Sequence, residues 1–190
     1  MEFNPIGKLF IISDMHFYHK NIIKYCDRPF KDVDEMNQTI IDNWNSVVSH
    51  NDTVLCLGDF LLGGASMFDD IVPHLNGRLY LIKGNHDNKS KKFYLEHGFT
   101  GVTDSPLEYE NIIFSHHPKT PKDGKINLFG HIHNEEKFDT FLKDGVCCCL
   151  ERWGYKPVEL STILDLWDDY GKKASETIHD CLKKITIPDV

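Results

Sequence analysis

The chain has 190 residues, 29 acidic against 21 basic side chains, a formal net charge of −8, and 41% hydrophobic and 26% charged content. That length can bury one sizeable core, that composition excludes a disordered or fibrous chain, and that charge excludes wholesale, stable wrapping of nucleic acid. No apolar stretch approaches the roughly 20 residues that span a bilayer. Met1-Glu2-Phe3-Asn4-Pro5 has no basic start followed by an apolar run, so no secretory leader is expected and the cytoplasm is the expected compartment.

In chain order, an apolar run at 9–12 reads as a buried strand, followed by a polar and aromatic loop to about Phe30. Asp32 can cap the next segment, with Glu35 three residues later in capping-box register. There Val33, Met36, Ile40, Trp44 and Val47 recur at three- and four-residue steps, a helix face. Asn51-Asp52 turns into a strand at 53–57. Gly63-Gly64 breaks the chain, Ser66 is expected to cap a short helix to about His74, and Asn76-Gly77 leads into a strand at 78–83. A helix near 89–97 ends at Gly98, where a C-terminal glycine belongs. From Phe99 onward short strands follow one another at 99–103, 106–109, 111–115, 126–129 and 145–151, before helices at 161–170 and 173–184 divided at Gly171. This order predicts an α/β fold with a mixed sheet or two packed sheets flanked by helices. One domain is expected over 1–190, with 171–190 as a C-terminal helical extension.

Six cysteines do not form a disulfide pattern. Cys147, Cys148 and Cys149 are consecutive, so their side chains alternate across a strand instead of bridging one another. Cys56 lies in an apolar run and reads as a small core residue. No C-x-x-C pair exists, which removes the usual structural zinc patterns, and a reducing compartment is the expected setting.

Five apolar runs, at 9–12, 54–57, 79–82, 112–114 and 126–129, each stop at residues able to bind a metal. They end in Asp14-Met15-His16, Gly58-Asp59, Gly84-Asn85-His86-Asp87, Ser115-His116-His117 and Gly130-His131-Ile132-His133. Ligands of open α/β sheets bind at the carboxyl ends of the strands. Carboxylates, an amide and imidazoles converging there make a nitrogen/oxygen site with room for two metal ions, which is hydrolytic machinery. Two divalent cations would bring the net charge from −8 to −4. The charge is also uneven: Lys83, Lys89, Lys91 and Lys92 against Asp87 give a local +3, and Lys119, Lys122 and Lys125 against Asp123 give +2. Both segments leave the expected site, so an anionic substrate would meet a basic rim.

The ordered set D-x-H, G-D, G-N-H-D, S-H-H, G-H-x-H resembles the calcineurin-like metallophosphoesterase superfamily, in particular its small single-domain bacterial and phage-type members. The motifs run from Asp14 to His133, and the likeness reaches the Lys156-Pro157-Val158 segment. The resemblance implies a four-layer α/β/β/α sandwich with a two-metal site at one end. It implies Asp14, His16 and His133 on one metal, Asn85, His116 and His131 on the other, and Asp59 bridging both. Such ligands suit Mn²⁺, favoured here, as well as Fe or Zn²⁺. Two ions clamp a phosphoryl oxygen and activate a bridging water for in-line attack. His86 matches the family's catalytic histidine, protonating the leaving oxygen or stabilising charge, and Asp87 is a candidate to orient it. His117 could touch phosphate or replace His116 as a ligand. His19 and Arg28, in the first loop, are candidate phosphate contacts.

The expected function is metal-dependent phosphoester hydrolysis of a small phosphorylated substrate, including a nucleotide or an oligonucleotide, with diesters favoured over monoesters. The alternatives are a phosphomonoesterase and a non-catalytic metal-binding scaffold for a protein partner. The presence of His86 and all seven expected ligands argues against the scaffold.

Overall fold

The computed structural model describes residues 1–122, 124–135 and 139–183, with side chains as far as Gly171. Among the described residues, two five-stranded sheets form. In the first, β1 (Leu9–Ile12), β2 (Thr53–Cys56), β3 (Arg78–Ile82) and β4 (Gly101–Thr103) run parallel in that order. In the second, β5 (Leu107–Tyr109), β6 (Ile112–Ser115), β7 (Ile126–Phe129), β8 (Phe141–Leu142) and β9 (Gly145–Cys147) lie in the order β5-β6-β7-β9-β8. There β6, β7 and β9 are parallel, and the two edge strands are antiparallel. The last strand, β10 (Val158–Glu159), returns to pair antiparallel with β1, so both sheets are mixed.

Strand periodicity of two divides each strand between two cores. Phe10, Ile12, Val54, Cys56, Leu79 and Leu81 face the helices, whereas Ile11, Leu55, Leu57, Tyr80 and Ile82 face the second sheet. There they meet Ile112, Phe114, Ile126, Leu128 and Val146. The result is the α/β sandwich of two mixed sheets that the sequence predicts. The cysteine run also alternates as predicted: Cys148 enters the inter-sheet core, while Cys147 and Cys149 pack with Phe129 and Ile132 on the other face.

The helices are α1 (Ile22–Tyr25), α2 (Val33–Val47), α3 (Ala65–Ile71), α4 (Lys91–Glu96) and α5 (Leu160–Lys183). Helix α2 buries Met36, Ile40 and Trp44 against the first sheet, and the indole donates to the Asn76 carbonyl at 2.9 Å. Its Asp32 carboxylate accepts from the Glu35 N–H at 2.9 Å, while Glu35 accepts from Lys31 instead of Asp32, at 2.7 Å. The capping box is thus reciprocated one residue early.

Three local expectations are corrected. Ser66 is not a cap: α3 starts one residue earlier, after Gly64, and continues into a 3₁₀ turn, Val72–His74. The strand expected at 145–151 stops at Cys147 and gives way to a 3₁₀ turn, Leu150–Trp153. The chain is drawn off the second sheet there, because the Leu150 N–H donates across to the Ser13 carbonyl at 3.1 Å. Gly171 does not divide the closing segment either; α5 runs through it, since one glycine costs a helix only about 1 kcal/mol. Leu160, Ile163, Leu164 and Trp167 hold α5 on the inter-sheet core. Residue 184, expected to end that segment, lies outside the described residues.

Candidate metal centre

The parallel strands of both sheets deliver their carboxyl ends to one place. Asp14, Asp59 and Asn85 follow β1, β2 and β3, while His116 follows β6 and His131 and His133 follow β7. The β1–β2 ladder continues past the strands, with Asp14 N–H on the Gly58 carbonyl at 3.0 Å and His16 N–H on the Asp59 carbonyl at 2.9 Å. The two sheets are joined at the site itself, where His131 N–H donates to Asp14 Oδ2 at 2.9 Å; within the second sheet, Gly130 N–H donates to the His116 carbonyl at 2.9 Å.

Five of the seven expected ligands have left-handed backbones: Asp14 (φ 63°), His16 (52°), Asp59 (53°), His131 (73°) and His133 (46°). Side-chain-bearing residues adopt this region uncommonly, and such strain costs of order 1–3 kcal/mol per residue and persists where the surroundings over-determine it. Sharp turns of this kind swing the side chains from the strand ends into a common space. The motif glycines let backbone pass close behind them. A Cβ on Gly58 (φ +107°) would lie 2.6 Å from His116 Nδ1, and one on Gly130 would lie 2.4 Å from Asp14 Oδ2.

Two groups of donor atoms meet at Asp59. Its Oδ2 lies 3.6 Å from His16 Nε2 and 3.4 Å from His116 Nε2. On the first side, Asp14 Oδ1 stands 4.0 Å from His16 Nε2 and 3.6 Å from His133 Nε2, and the rings of His16 and His133 stack with centroids 5.2 Å apart. On the second side, His116 Nε2 stands 2.9 Å from Asn85 Oδ1 and 3.3 Å from His131 Nδ1.

These residues fit divalent cations on several counts. Asp14 Oδ1 and His16 Nε2 are buried without a hydrogen-bond partner, a costly arrangement unless a cation answers them. Metal bonds of roughly 2.1 Å set neighbouring ligand atoms roughly 3–4 Å apart, the separation seen around Asp59. His116 donates through Nδ1 to the Leu57 carbonyl at 2.9 Å, which leaves a lone pair on Nε2 facing the Asn85 oxygen. His16 is held neutral by burial, then by neighbouring His133 and Arg28. His131 and His117 are lowered chiefly by burial and by the adjoining imidazoles. Neutral imidazole is the ligand form.

His133 behaves in the opposite way. Burial disfavours its charge, yet hydrogen bonds to Cys26 and Glu151 and the charge of Asp14 outweigh burial and push its pKa up to about 11. This corner is built to hold a positive charge. Its Nδ1 donates to Glu151 Oε1 at 2.9 Å, leaving Nε2 to face Asp14. Glu151 is in turn gripped by Arg28, from Nε at 3.0 Å and from one terminal nitrogen at 2.7 Å.

Arg28 corrects an expectation. It is fully buried, and its other N–H groups go to the Asp14 carbonyl (2.7 Å), the Met15 carbonyl (2.9 Å) and Met36 Sδ (3.3 Å). All five donors are engaged, so it props the Asp14 turn and Glu151 and has none left for phosphate. Asp87 is also not where it was expected. Its buried carboxylate accepts from Asp59 N–H (2.7 Å), Phe60 N–H (3.1 Å) and Gly84 N–H (2.9 Å), which ties the β2 and β3 ends together. Burial, opposed by those N–H groups, pushes its pKa up to about 6.

His86 stands exposed at the mouth, its N–H on Asp59 Oδ1 at 2.8 Å and its ring 5.3 Å from that of His16. His19 is beside it, with rings 6.1 Å apart. His117 lies on the outer side of the second group, its ring 4.1 Å from that of His131. Glu151 and Cys149 were missed from sequence. Cys149 receives the His133 N–H at 3.2 Å and donates to Asp14 Oδ2 at 3.3 Å, touching two expected ligands. The one signal in the sequence was the run of three thiols with an acid two residues beyond it.

A double α/β sheet whose strand ends collect carboxylates and imidazoles is the arrangement that suits a metallohydrolase. The chain belongs to the calcineurin-like phosphoesterase family, whose model matches residues 7–178. It is therefore a metal-dependent phosphoesterase acting on a phosphorylated substrate. An uncharacterized protein of Methanocaldococcus jannaschii, MJ1445, is 37% identical over 185 residues, covering 91% of this chain and 97% of the relative. The gene 66 protein of Mycobacterium phage L5 is 26% identical over 157 residues, covering 64% and 75%. Among solved structures, the protein AQ665 from Aquifex aeolicus, described as of unknown function, superposes with a TM-score of 0.59 at 25% identity, covering 84% of this chain and 98% of that one. Among the described residues, no helix is long and apolar enough to cross a membrane.

Proposed function

We propose that the enzyme is a dinuclear phosphodiesterase acting on a nucleotide or other small phosphorylated molecule. The observation that carries this is the shared position of Asp59 Oδ2, 3.6 Å from His16 Nε2 and 3.4 Å from His116 Nε2. Asp14, His16 and His133 would hold one ion and Asn85, His116 and His131 the other, with Asp59 common to both. When bound, the two ions, Mn²⁺ favoured over Fe or Zn²⁺, supply Lewis-acid polarisation of the phosphoryl group and an activated water.

The chain's own residues supply the rest. Asn85 contributes a neutral oxygen, which keeps negative charge away from an anionic substrate. His86 stands at the mouth, where its ring protonates the departing oxygen, and His19 and His117 flank the phosphoryl oxygens. Asn85, His86, His117 and His131 are exposed, which supports a mouth that admits a phosphate esterified on both sides. The unit proposed is a single metallophosphoesterase domain over 1–190, with 171–190 as its extension. A reducing compartment such as the cytoplasm suits the five free cysteines among the described residues.

The test is the Mn²⁺-dependent initial rate on bis(p-nitrophenyl) phosphate against p-nitrophenyl phosphate. A diester rate well above the monoester rate supports the reading. The reverse order would make the protein a monoesterase, and no turnover on either, with two ions bound, would reject catalysis by this site.

A further inference from the structure

The lysine rim is reshaped by the fold. Lys83 and Lys91 both pair with Asp104, at 3.0 and 2.8 Å, and Lys125 pairs with Glu108. Lys119 and Lys122 have no acidic partner among the described residues and remain exposed. A cavity of about 110 Å³ is bordered by His116 and His117, by the Lys83–Asp104 pair and by Lys119. It adjoins a larger one of about 400 Å³, floored by Pro106 and Ile113 and flanked by Lys119, Lys122 and the Lys125–Glu108 pair. Lys119 and Pro106 belong to both, so the two form one path leading away from the metal centre.

The path is held in place by the core. The wholly buried Asn127 of β7 accepts from the Lys119 N–H at 2.6 Å and donates to the Ile113 carbonyl at 2.8 Å and Ser115 Oγ at 2.9 Å. The loop carrying His116, His117 and Lys119 is therefore pinned at both ends of the turn, which fixes the lysine relative to the metal site. The small compartment has room for a phosphate group, whereas the larger, with its apolar floor and the unpaired cations Lys119 and Lys122, falls in the range that holds a drug-sized ligand. Phosphate next to metal, then an apolar step, then cations again is the repeat of a nucleic-acid strand, not of a mononucleotide.

We infer that the substrate is a short single-stranded oligonucleotide, and that Lys119 and Lys122 hold phosphates beyond the one being cleaved; this rests on the phosphodiesterase reading above. Binding of this kind is sequence-tolerant and falls with salt, by roughly 0.7 in log–log slope for each single-strand phosphate neutralised.

The experiment is fluorescence anisotropy of the full-length chain with fluorescein-labelled phosphorothioate hexathymidylate in Mn²⁺, across a salt series. Lys119→Ala/Lys122→Ala should weaken binding at least tenfold and flatten the salt slope by about 1.4, two phosphate contacts' worth. Lys119→Arg/Lys122→Arg, which keeps the charges, should bind within about threefold of wild type. Unchanged binding in the alanine pair, or thymidine 5′-monophosphate competing as well as the hexamer, overturns the inference. Wild-type turnover of bis(p-nitrophenyl) phosphate is measured in parallel. Turnover without hexamer binding removes the oligonucleotide and leaves the phosphodiesterase standing. No turnover of bis(p-nitrophenyl) phosphate or of a normal hexathymidylate removes both.

Discussion

Glu151 shows how much of a metal site lies behind its ligands. It orients His133 through Nδ1 and is itself held by Arg28, which also clasps the Asp14 carbonyl. Groups in this position typically change metal affinity 10–100-fold when lost. Glu151→Gln should therefore lower occupancy of the Asp14 side by roughly 10–100-fold in affinity, read by metal titration. Equal affinity would mean that His133 is positioned by packing alone. His86 belongs to a different class. It is exposed at the mouth and only its backbone N–H bonds to an expected ligand, so His86→Ala should retain its metal content while turnover falls by about two orders of magnitude or more. Wild-type turnover in that variant would remove the proton-donor role. The convergence of His86 and the expected ligands was legible because each follows an apolar run. Glu151 was not, because its partners Arg28 and His133 are 123 and 18 residues away in the chain.

At the scale of elements, local signals separated cleanly from long-range ones. The Asp32 cap of α2 was readable because capping is settled within four residues. Asp32→Ala should cost about 1 kcal/mol in chemical denaturation and leave metal affinity alone. Ser66 misled because a serine near a helix start caps only if it occupies the first non-helical position, and Gly64 does so here. Gly130 shows the reverse case: nothing local demands glycine, yet a Cβ there would fall 1.9 Å from Ser13 Oγ and 2.4 Å from Asp14 Oδ2, across the junction of the two sheets. Gly130→Ala should displace Asp14, so weaker Mn²⁺ binding and a lower melting temperature are expected together. A folded variant with undiminished Mn²⁺ binding would show that the junction can yield.

For the molecule as a whole, the candidate metal centre is a site of stored cost. Expected ligands with left-handed backbones, unpartnered buried polar atoms and a buried Arg28–Glu151 pair all sit where the two sheets meet. A ligand bound only by the native state stabilises it by about 2.7 kcal/mol at a hundred times its Kd, so saturating Mn²⁺ should raise the melting temperature by roughly 5–10 °C over chelated protein for a chain of this length. An identical melting temperature with and without metal would show that the fold bears that strain unaided. Arg28→Ala removes one partner of a buried pair, and should cost about 3–5 kcal/mol.

The chain order of apolar runs and polar stops settled the class of fold, the residues that converge and the kind of chemistry, because strand ends of a parallel sheet must lie on one side whatever the details. Periodicity also settled that neighbouring strand residues, and the cysteines of the 147–149 run, would alternate between two faces. What only the tertiary structure decided was the long-range contacts behind the site: Asp14 on His131 and Arg28 on Glu151. Such contacts join residues far apart in the chain, so no local pattern records them. They determine which polar groups face the site and which are spent holding it in shape.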